Sequence, residues 1–393
     1  MPSVQQDAPL IIVGSGMAGY QLVTELRKLG DMRPIHLLTQ DGGEVYSKPL
    51  LSTALAKKLS PEQLVSASAE QQAEKLQLQI HTLTQVTGLD TNRHELQLGS
   101  QTLSYAQLVL ATGAEALLPP LSLPAPDGAL LTINDLDDYR RFRQQLQQQP
   151  ITLLGGGLVG VEMAQDLLNA GYPVTLIARG EHLLQGLIPP PAAKLLETAL
   201  QQQGLILHKN TSITRITGSA GHWQLYTDQQ QTLQASLILA ATGLRPRIKL
   251  AADAGITTGR GICVNRQLQT SASNVYALGD CAEINGQNLM YVQPLMASAR
   301  VLAAVLHGDN NAHLQLDALP VLIKTTRCPV VAAPPPQGCR GEWCYEIEED
   351  SVLAEFYGQR AEGETDQLLG FALAGKAVRQ KARLTREMPP LLS

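Results

Sequence analysis

The sequence predicts an α/β fold built on two nucleotide-binding units with parallel sheets, and three observations carry that prediction. Two glycine fingerprints, Gly14-Ser15-Gly16-Met17-Ala18-Gly19 and Gly155-Gly156-Gly157-Leu158-Val159-Gly160, lie in one chain. Each follows a short apolar run, Leu10–Val13 and Ile151–Leu154, and opens a stretch compatible with a helix. Each is then followed by another apolar run, at 35–38 and 174–178, which completes a strand–helix–strand unit twice. In such a unit the first two glycines let the backbone turn tightly and approach a pyrophosphate, while the third lets helix and strand pack closely. The helix N-terminus presents free N–H groups and a positive dipole end to the phosphates. One such match is weak; two in register with strand and helix imply two dinucleotides on one protein.

Composition narrows the class. A length of 393 residues points to two or three domains, each able to bury a core. With 44% hydrophobic and 17% charged residues and a net charge of −5, the chain reads as globular and not as a nucleic-acid binder. Aromatics at 4% are too scarce for a single-strand stacking platform. No apolar run approaches the roughly 18 residues that span a bilayer. The N-terminus has no basic lead before an apolar signal core, so the expected location is cytoplasmic. Five cysteines, an odd number in a long chain, do not suggest a secreted disulfide framework.

The elements follow in order. A helix is expected over 17–29, with Ala18, Leu22, Leu26 and Leu29 at helical spacing. The strand at 35–38 ends near Asp41, which can accept hydrogen bonds from an adenosine ribose; the alternative is a turn aspartate ahead of Gly42-Gly43. A strand at 108–110 ends in Ala111-Thr112-Gly113-Ala114, and another at 237–239 ends in Ala240-Ala241-Thr242-Gly243. Both are small-residue turns that let the chain pass close to a bound cofactor. The proline-rich stretch 119–126 reads as a domain boundary. The second unit continues with a helix to about 170, a further helix after Pro189-Pro190-Pro191, and a strand at Ile206–His208. The glutamine clusters at 144–149, 201–203 and 229–231 mark solvated helix ends and turns. Beyond a buried strand at 275–278, Gly279-Asp280 delivers a carboxylate suited to a polyol such as a flavin's ribityl chain. Gln293-Pro294 starts an apolar helix over 295–306, with proline in the favoured first turn. The positive end of that helix can face the ring edge of a reduced flavin.

Together these residues resemble the two-dinucleotide flavoprotein disulfide reductase superfamily. Within it they are most similar to the NADH-dependent rubredoxin reductases and their ferredoxin- and flavorubredoxin-reductase relatives. The more specific matches are 46–53 (Tyr46-Ser47-Lys48-Pro49-Leu50-Leu51-Ser52-Thr53), 132–139, 276–282 and 324–329. Ferredoxin reductases usually carry Arg-Pro-Pro-Leu-Ser-Lys where this chain has Lys48-Pro49-Leu50-Leu51-Ser52-Thr53, and Ser-Lys-Pro is the pattern of the rubredoxin-reductase branch.

The resemblance implies two Rossmann-like domains, one for FAD and one for NAD, with the second inserted in the first, and a small α+β C-terminal interface domain. The implied boundaries are 1–119 and 243–318 for the FAD domain, 120–242 for the NAD domain and 319–393 for the interface domain. On the flavin side it implies contacts from Gly14, Ser15, Gly16, Ala18, Gly19, Asp41, Lys48, Pro49, Val86, Ala111, Thr112, Gly113, Gly279, Asp280, Pro294 and Lys324. On the nicotinamide side it implies Gly155, Gly157, Leu158, Val159, Gly160, Glu162, Glu181, Thr242 and Gly243.

The implied activity passes a hydride from NADH to flavin N5 and then single electrons, through the flavin semiquinone, to rubredoxin, an acidic iron protein. No metal site is implied in the chain itself. Glu162 matches the glutamate that reaches toward the nicotinamide and N5. Its usual lysine partner is Thr53 here, so Lys48 is expected to pair with Glu162; the alternative for Lys48 is a solvated turn lysine. Lys324 is expected near the pyrimidine end of the flavin, where an ammonium stabilises the reduced ring; a solvent-facing strand lysine is the alternative. Some relatives use a cysteine pair beside the flavin. Cys339 and Cys344 have a matching spacing but fall in a late proline- and glycine-rich loop, and read as ordinary thiols. Electrons therefore leave the flavin without a disulfide relay. Lys376, Arg379, Arg383 and Arg386 have the spacing of one helix face and suit an acidic partner, a solvated face being the alternative. After the 174–178 strand, Arg179 could hold a 2′-phosphate and Glu181 could bind ribose hydroxyls; the resemblance favours NADH, and NADPH stays open. Rival readings are a flavorubredoxin or ferredoxin reductase, an NADH oxidase or coenzyme A disulfide reductase, and a flavin-switched interaction protein. The pathway associated with such reductases is hydrocarbon hydroxylation by an oxygenase such as an alkane hydroxylase.

Overall fold

Leu10, Ile11, Ile12 and Val13 are all buried, because the strand they form lies inside a parallel sheet covered on both faces. In a computed structural model, residues 8–358 and 366–392 are described. The first sheet has five parallel strands in the spatial order Val275–Ala277, Gln107–Leu110, Leu10–Val13, Ile35–Leu38, Gln79–His81. The order reverses at Leu10–Val13, whose carboxyl end carries the first fingerprint, and such a switch point is where α/β sheets open a binding crevice. The helices Met17–Lys28 and Val292–Leu306 pack on each other against this sheet.

The second sheet repeats the plan with Ile206–His208, Val174–Ile177, Ile151–Leu154 and Leu237–Ala240, again all parallel. Its fingerprint helix is Leu158–Asn169. Each parallel sheet is also accompanied by a three-stranded antiparallel meander inserted before its fourth strand in chain order. These are Gly88–Asp90, Glu95–Leu98, Gln101–Ser104 and Ile213–Ser219, His222–Thr227, Thr232–Ala235. The sequence reading did not identify either meander.

Two short strands connect the units. Ala114–Ala116 leaves the first sheet and Leu244–Pro246 returns to it, and they pair antiparallel, Ala114 with Pro246 and Ala116 with Leu244. The chain between them carries the second unit, so that unit is an insertion in the first. A third, antiparallel sheet follows, in the order Val321–Ile323, Val330–Ala333, Gln367–Gly375, Ser351–Gly358, Gly341–Glu348. One of its faces packs on the helix Pro190–Gln202 of the second unit. The last described residue, Leu392, returns to pair with Leu316 and packs with the first core instead of the C-terminal sheet.

Two element bounds differ from expectation. The helix expected from 295 begins at Val292, one turn earlier, which places Pro294 within its first turn. The run 376–386 is not one α-helix: Lys376–Gln380 is a 3-10 turn and Lys381–Glu387 a short α-helix.

Candidate functional site

Glycine geometry is the same in both fingerprints. Gly14 and Gly155 have φ of +122° and +119°, and a Cβ on either would strike a carbonyl oxygen, that of Ala111 or Ala241. A Cβ on Gly19 or Gly160 would strike the carbonyl oxygen of Gly14 or Gly155, so each third glycine lets its helix seat against its strand. Around Gly16 and Gly157 the space is open. Both of these residues cap their helices with no side-chain hydrogen bond. Two other helices are capped by side chains, at Ser68, which accepts from Gln71 N–H, and Asp135, which accepts from Asp138 N–H. The fingerprint helices thus keep their first-turn N–H groups for an anion.

A cavity of about 1980 Å³ opens at the carboxyl ends of the first sheet. Gly14, Ser15, Gly16 and Ala18 form part of its wall, with Asp41, Val86, Ala111, Thr112, Gly113, Asp280 and Pro294. Lys48, Pro49, Ser52, Leu158, Val159, Glu162 and Lys324 complete the end where the two units meet. Gly19, Gly155, Gly157, Gly160, Glu181, Thr242, Gly243 and Gly279 are not in the wall. Gly279, with φ of +79°, packs where a Cβ would lie 2.9 Å from that of Ala18. Thr242 donates to the Leu117 carbonyl at 2.5 Å. Glu181 and Arg179 are both exposed beyond the end of Val174–Ile177.

Asp41 serves its own turn and keeps one oxygen back. Its Oδ1 accepts from Ser15 Oγ at 2.9 Å, Thr39 Oγ1 at 2.6 Å and the Gly43 N–H at 2.9 Å. Its Oδ2 has no protein partner among the described residues, and that oxygen is available to a hydroxyl pair. With the free helix end, the open glycine and this carboxylate, the wall fits a dinucleotide such as FAD.

At the other end of the cavity the expected pairing is corrected. Lys48 does not meet Glu162; its Nζ donates to Asn134 Oδ1 at 2.9 Å and lies 3.6 Å from Asp280 Oδ2. Glu162 pairs instead with Lys324, Oε2 to Nζ at 3.0 Å. Lys324 Nζ also donates to the Pro49 carbonyl at 2.6 Å and to Ser52 Oγ at 3.0 Å, so its three hydrogens are all used. Ser52 Oγ donates in turn to Glu162 Oε2 at 2.7 Å, and the Lys324 N–H donates to Oε1 at 3.1 Å. The physical reason is occupancy: the Lys324 ammonium fills the place beside Glu162, and Asp280 and Asn134 offer Lys48 its own acceptors. Lys324 thereby ties its own strand to the Pro49–Ser52 segment and to the second fingerprint helix.

The segment that carries Ser52 is itself anchored. One helical turn beyond Glu162, Asp166 accepts from the N–H groups of Leu55 and Ala56, both at 3.0 Å. Asn134 is held by Nδ2 donating to the Ala114 carbonyl and by its N–H donating to Asp138, each at 2.9 Å. Ser52 and Asn134 were within quoted motifs but carried no assigned role. Their charged partners, Glu162 and Lys324 for Ser52 and Lys48 for Asn134, lie more than eighty residues away, and no local signal announces them.

No cysteine lines the cavity among the described residues. Cys281, nearest in sequence to Asp280, is fully buried, and burial pushes its thiol up, so it stays protonated. Cys339 and Cys344 are free thiols in the C-terminal region. The proposed basic face is also corrected. Lys376 pairs with Asp350 at 2.5 Å, and Arg383 with Glu355 at 2.9 Å and Glu387 at 3.2 Å, which neutralises two of its four charges. Among the described residues, no helix is long and apolar enough to cross a membrane.

Residues 8–303 match the pyridine nucleotide-disulphide oxidoreductase family, and residues 313–388 match the rubredoxin binding C-terminal domain. The rubredoxin-NAD(+) reductase of Alcanivorax borkumensis is 40% identical over 387 residues, covering 98% of this chain and 99% of that protein. The nitric oxide reductase FlRd-NAD(+) reductase of Aliivibrio fischeri is 34% identical, covering 97% and 98%. The solved putidaredoxin reductase–putidaredoxin complex superposes with a TM-score of 0.83 at 24% identity, over 98% of this chain and 94% of that one, and supports the fold alone. With both fingerprints in place, the chain belongs to the pyridine nucleotide-disulphide oxidoreductase family.

Proposed function

We propose that this protein is a cytoplasmic, FAD-dependent reductase that carries electrons from NADH to rubredoxin. The observation that carries the reading is a single cavity wall containing the first fingerprint and, from the second unit, Leu158, Val159 and Glu162, with no cysteine between them among the described residues. The C-terminal match to a rubredoxin binding domain supports the acceptor. A bound FAD would supply the conversion of a two-electron donor into one-electron steps.

The chain's own residues orient and balance that chemistry. The N-terminus of Met17–Lys28 would hold the flavin diphosphate, Asp41 Oδ2 its adenosine ribose, and Asp280 its ribityl hydroxyls. Leu158 and Val159 would guide the nicotinamide, and Glu162, Ser52 and Lys324 form the hydrogen-bonded group that can hold or release a proton beside it. The exposed apolar residues Tyr291, Val292 and Leu322 border the same cavity and give a small acceptor protein an approach to it. An oxygenase such as an alkane hydroxylase is the proposed consumer of the electrons. A flavorubredoxin is the second reading for the acceptor, favoured by the 34% identity to the Aliivibrio protein.

The test is cytochrome c reduction by purified protein and NADH, with and without rubredoxin. Strong dependence on rubredoxin is expected. Equal rates without it, or a preparation that stays colourless after incubation with FAD, overturn the proposal.

A further inference from the structure

We infer that Arg247 is an anion clamp that closes over the diphosphate of the dinucleotide held by the first fingerprint. This rests on the FAD reading above and adds to it a residue outside both glycine motifs. The connecting strands fix its place. Because Ala114 pairs with Pro246 and Ala116 with Leu244, the antiparallel pair has its residue-246 end toward the first sheet. Arg247 follows at that end: its N–H donates to the Gly113 carbonyl at 2.9 Å and its carbonyl accepts from Thr112 Oγ1 at 2.9 Å. The guanidinium curls back to the same turn, with Nη1 donating to the Thr112 carbonyl at 3.3 Å. That turn adjoins the fingerprint, since the missing Cβ of Gly14 faces the Ala111 carbonyl.

Charge completes the argument. A diphosphate brings about two negative charges, and a helix end offers only about half a positive one. Of the other cations in the cavity wall, Lys48, Arg141, Arg245, Lys249 and Lys324 already face carboxylates. Lys381 is exposed on the C-terminal helix. Arg247 is half-buried, has no carboxylate partner among the described residues, and keeps Nε and Nη2 free of protein acceptors. A planar guanidinium with two free donors suits phosphate oxygens.

The experiment dilutes the holoenzyme and reads released FAD by its fluorescence. Arg247→Gln is expected to weaken FAD retention about 10- to 100-fold, the usual range for a charged hydrogen-bonding partner, and Arg247→Lys to weaken it less. Arg93→Gln, an exposed arginine of the same unit outside the cavity wall and already facing Asp90, is expected to leave retention within about twofold of the parent. Added ADP should displace FAD from the parent far better than adenosine does, and Arg247→Gln should narrow that difference. FAD retention unchanged in Arg247→Gln overturns the clamp, as does weakened retention with the preference for ADP over adenosine intact. A parent protein that binds no FAD overturns the cofactor reading itself.

Discussion

The two fingerprint units place equivalent atoms alike, yet they present different surfaces to a ligand. Both first glycines have φ near +120°, and both third glycines abut the first one's carbonyl. After the second strand the units diverge. In the first, Asp41 is braced by Ser15 and Thr39 beside the cavity. In the second, Arg179 and Glu181 are exposed. The first unit thus offers a nucleotide a half-buried carboxylate braced by two buried hydroxyls, and the second offers side chains at a solvent edge. Preorganised groups lose little entropy on binding, whereas exposed side chains must be ordered each time. Under the proposed function, that contrast would separate a cofactor that stays from one that comes and goes.

The sharpest way to break this comparison is to add a side chain at matched glycines. Gly19→Val should abolish flavin retention, because its branches collide with the Gly14 carbonyl. Gly160→Val should give a yellow protein that NADH no longer reduces, read by absorbance in stopped flow. If both variants lose flavin, the units are not independent in the way proposed. The next effect is at their junction. Lys324→Met strips Glu162 and Ser52 of their shared ammonium and should slow flavin reduction by NADH about 10- to 100-fold, with a lower flavin midpoint. Lys48→Met, at the Asp280 end, should affect reduction less and FAD retention more; equal effects on reduction would return Lys48 to the role first expected of it.

A smaller effect concerns the partner. With two of its four charges neutralised, the 376–386 face should give turnover with rubredoxin a moderate fall with salt while ferricyanide reduction stays flat. Parallel salt curves would remove that face from docking. The smallest effect lies at the far edge of the first sheet. His36 and His81 stack there with ring nitrogens 3.2 Å apart, and burial, then the His81 charge, hold His36 below the usual imidazole range. A base with a lowered folded pKa binds fewer protons folded than unfolded. Stability should therefore fall as pH drops below about 6.5, the unperturbed value. His36→Gln should flatten that slope in thermal unfolding, and an unchanged slope would rule the pair out as its source.

Much of the fold was legible because it rests on short-range signals. Buried parallel strands read as apolar runs, and the glycine spacing states where the backbone must turn. The meanders were not legible, since strands such as Gln101–Ser104 are mostly exposed and polar. The 376–386 run misled for a related reason: its spacing suits a helix, but its first five residues, Lys376–Gln380, form a 3-10 turn and only Lys381–Glu387 is an α-helix. At the site, Glu162 and Lys324 were recognisable as residues but not as each other's partner.

The amino-acid pattern alone determined that there are two nucleotide-binding units and where the fingerprint glycines of each turn the backbone. Those features depend on residues close in sequence, where backbone geometry leaves few choices. The tertiary structure alone decided that Lys324 and not Lys48 neutralises Glu162, that Ser52 bridges them, and that Arg247 lies beside the first turn with no carboxylate partner among the described residues. Each depends on which distant segment the fold brings beside it, and a charge held out of water needs the partner the fold brings to it.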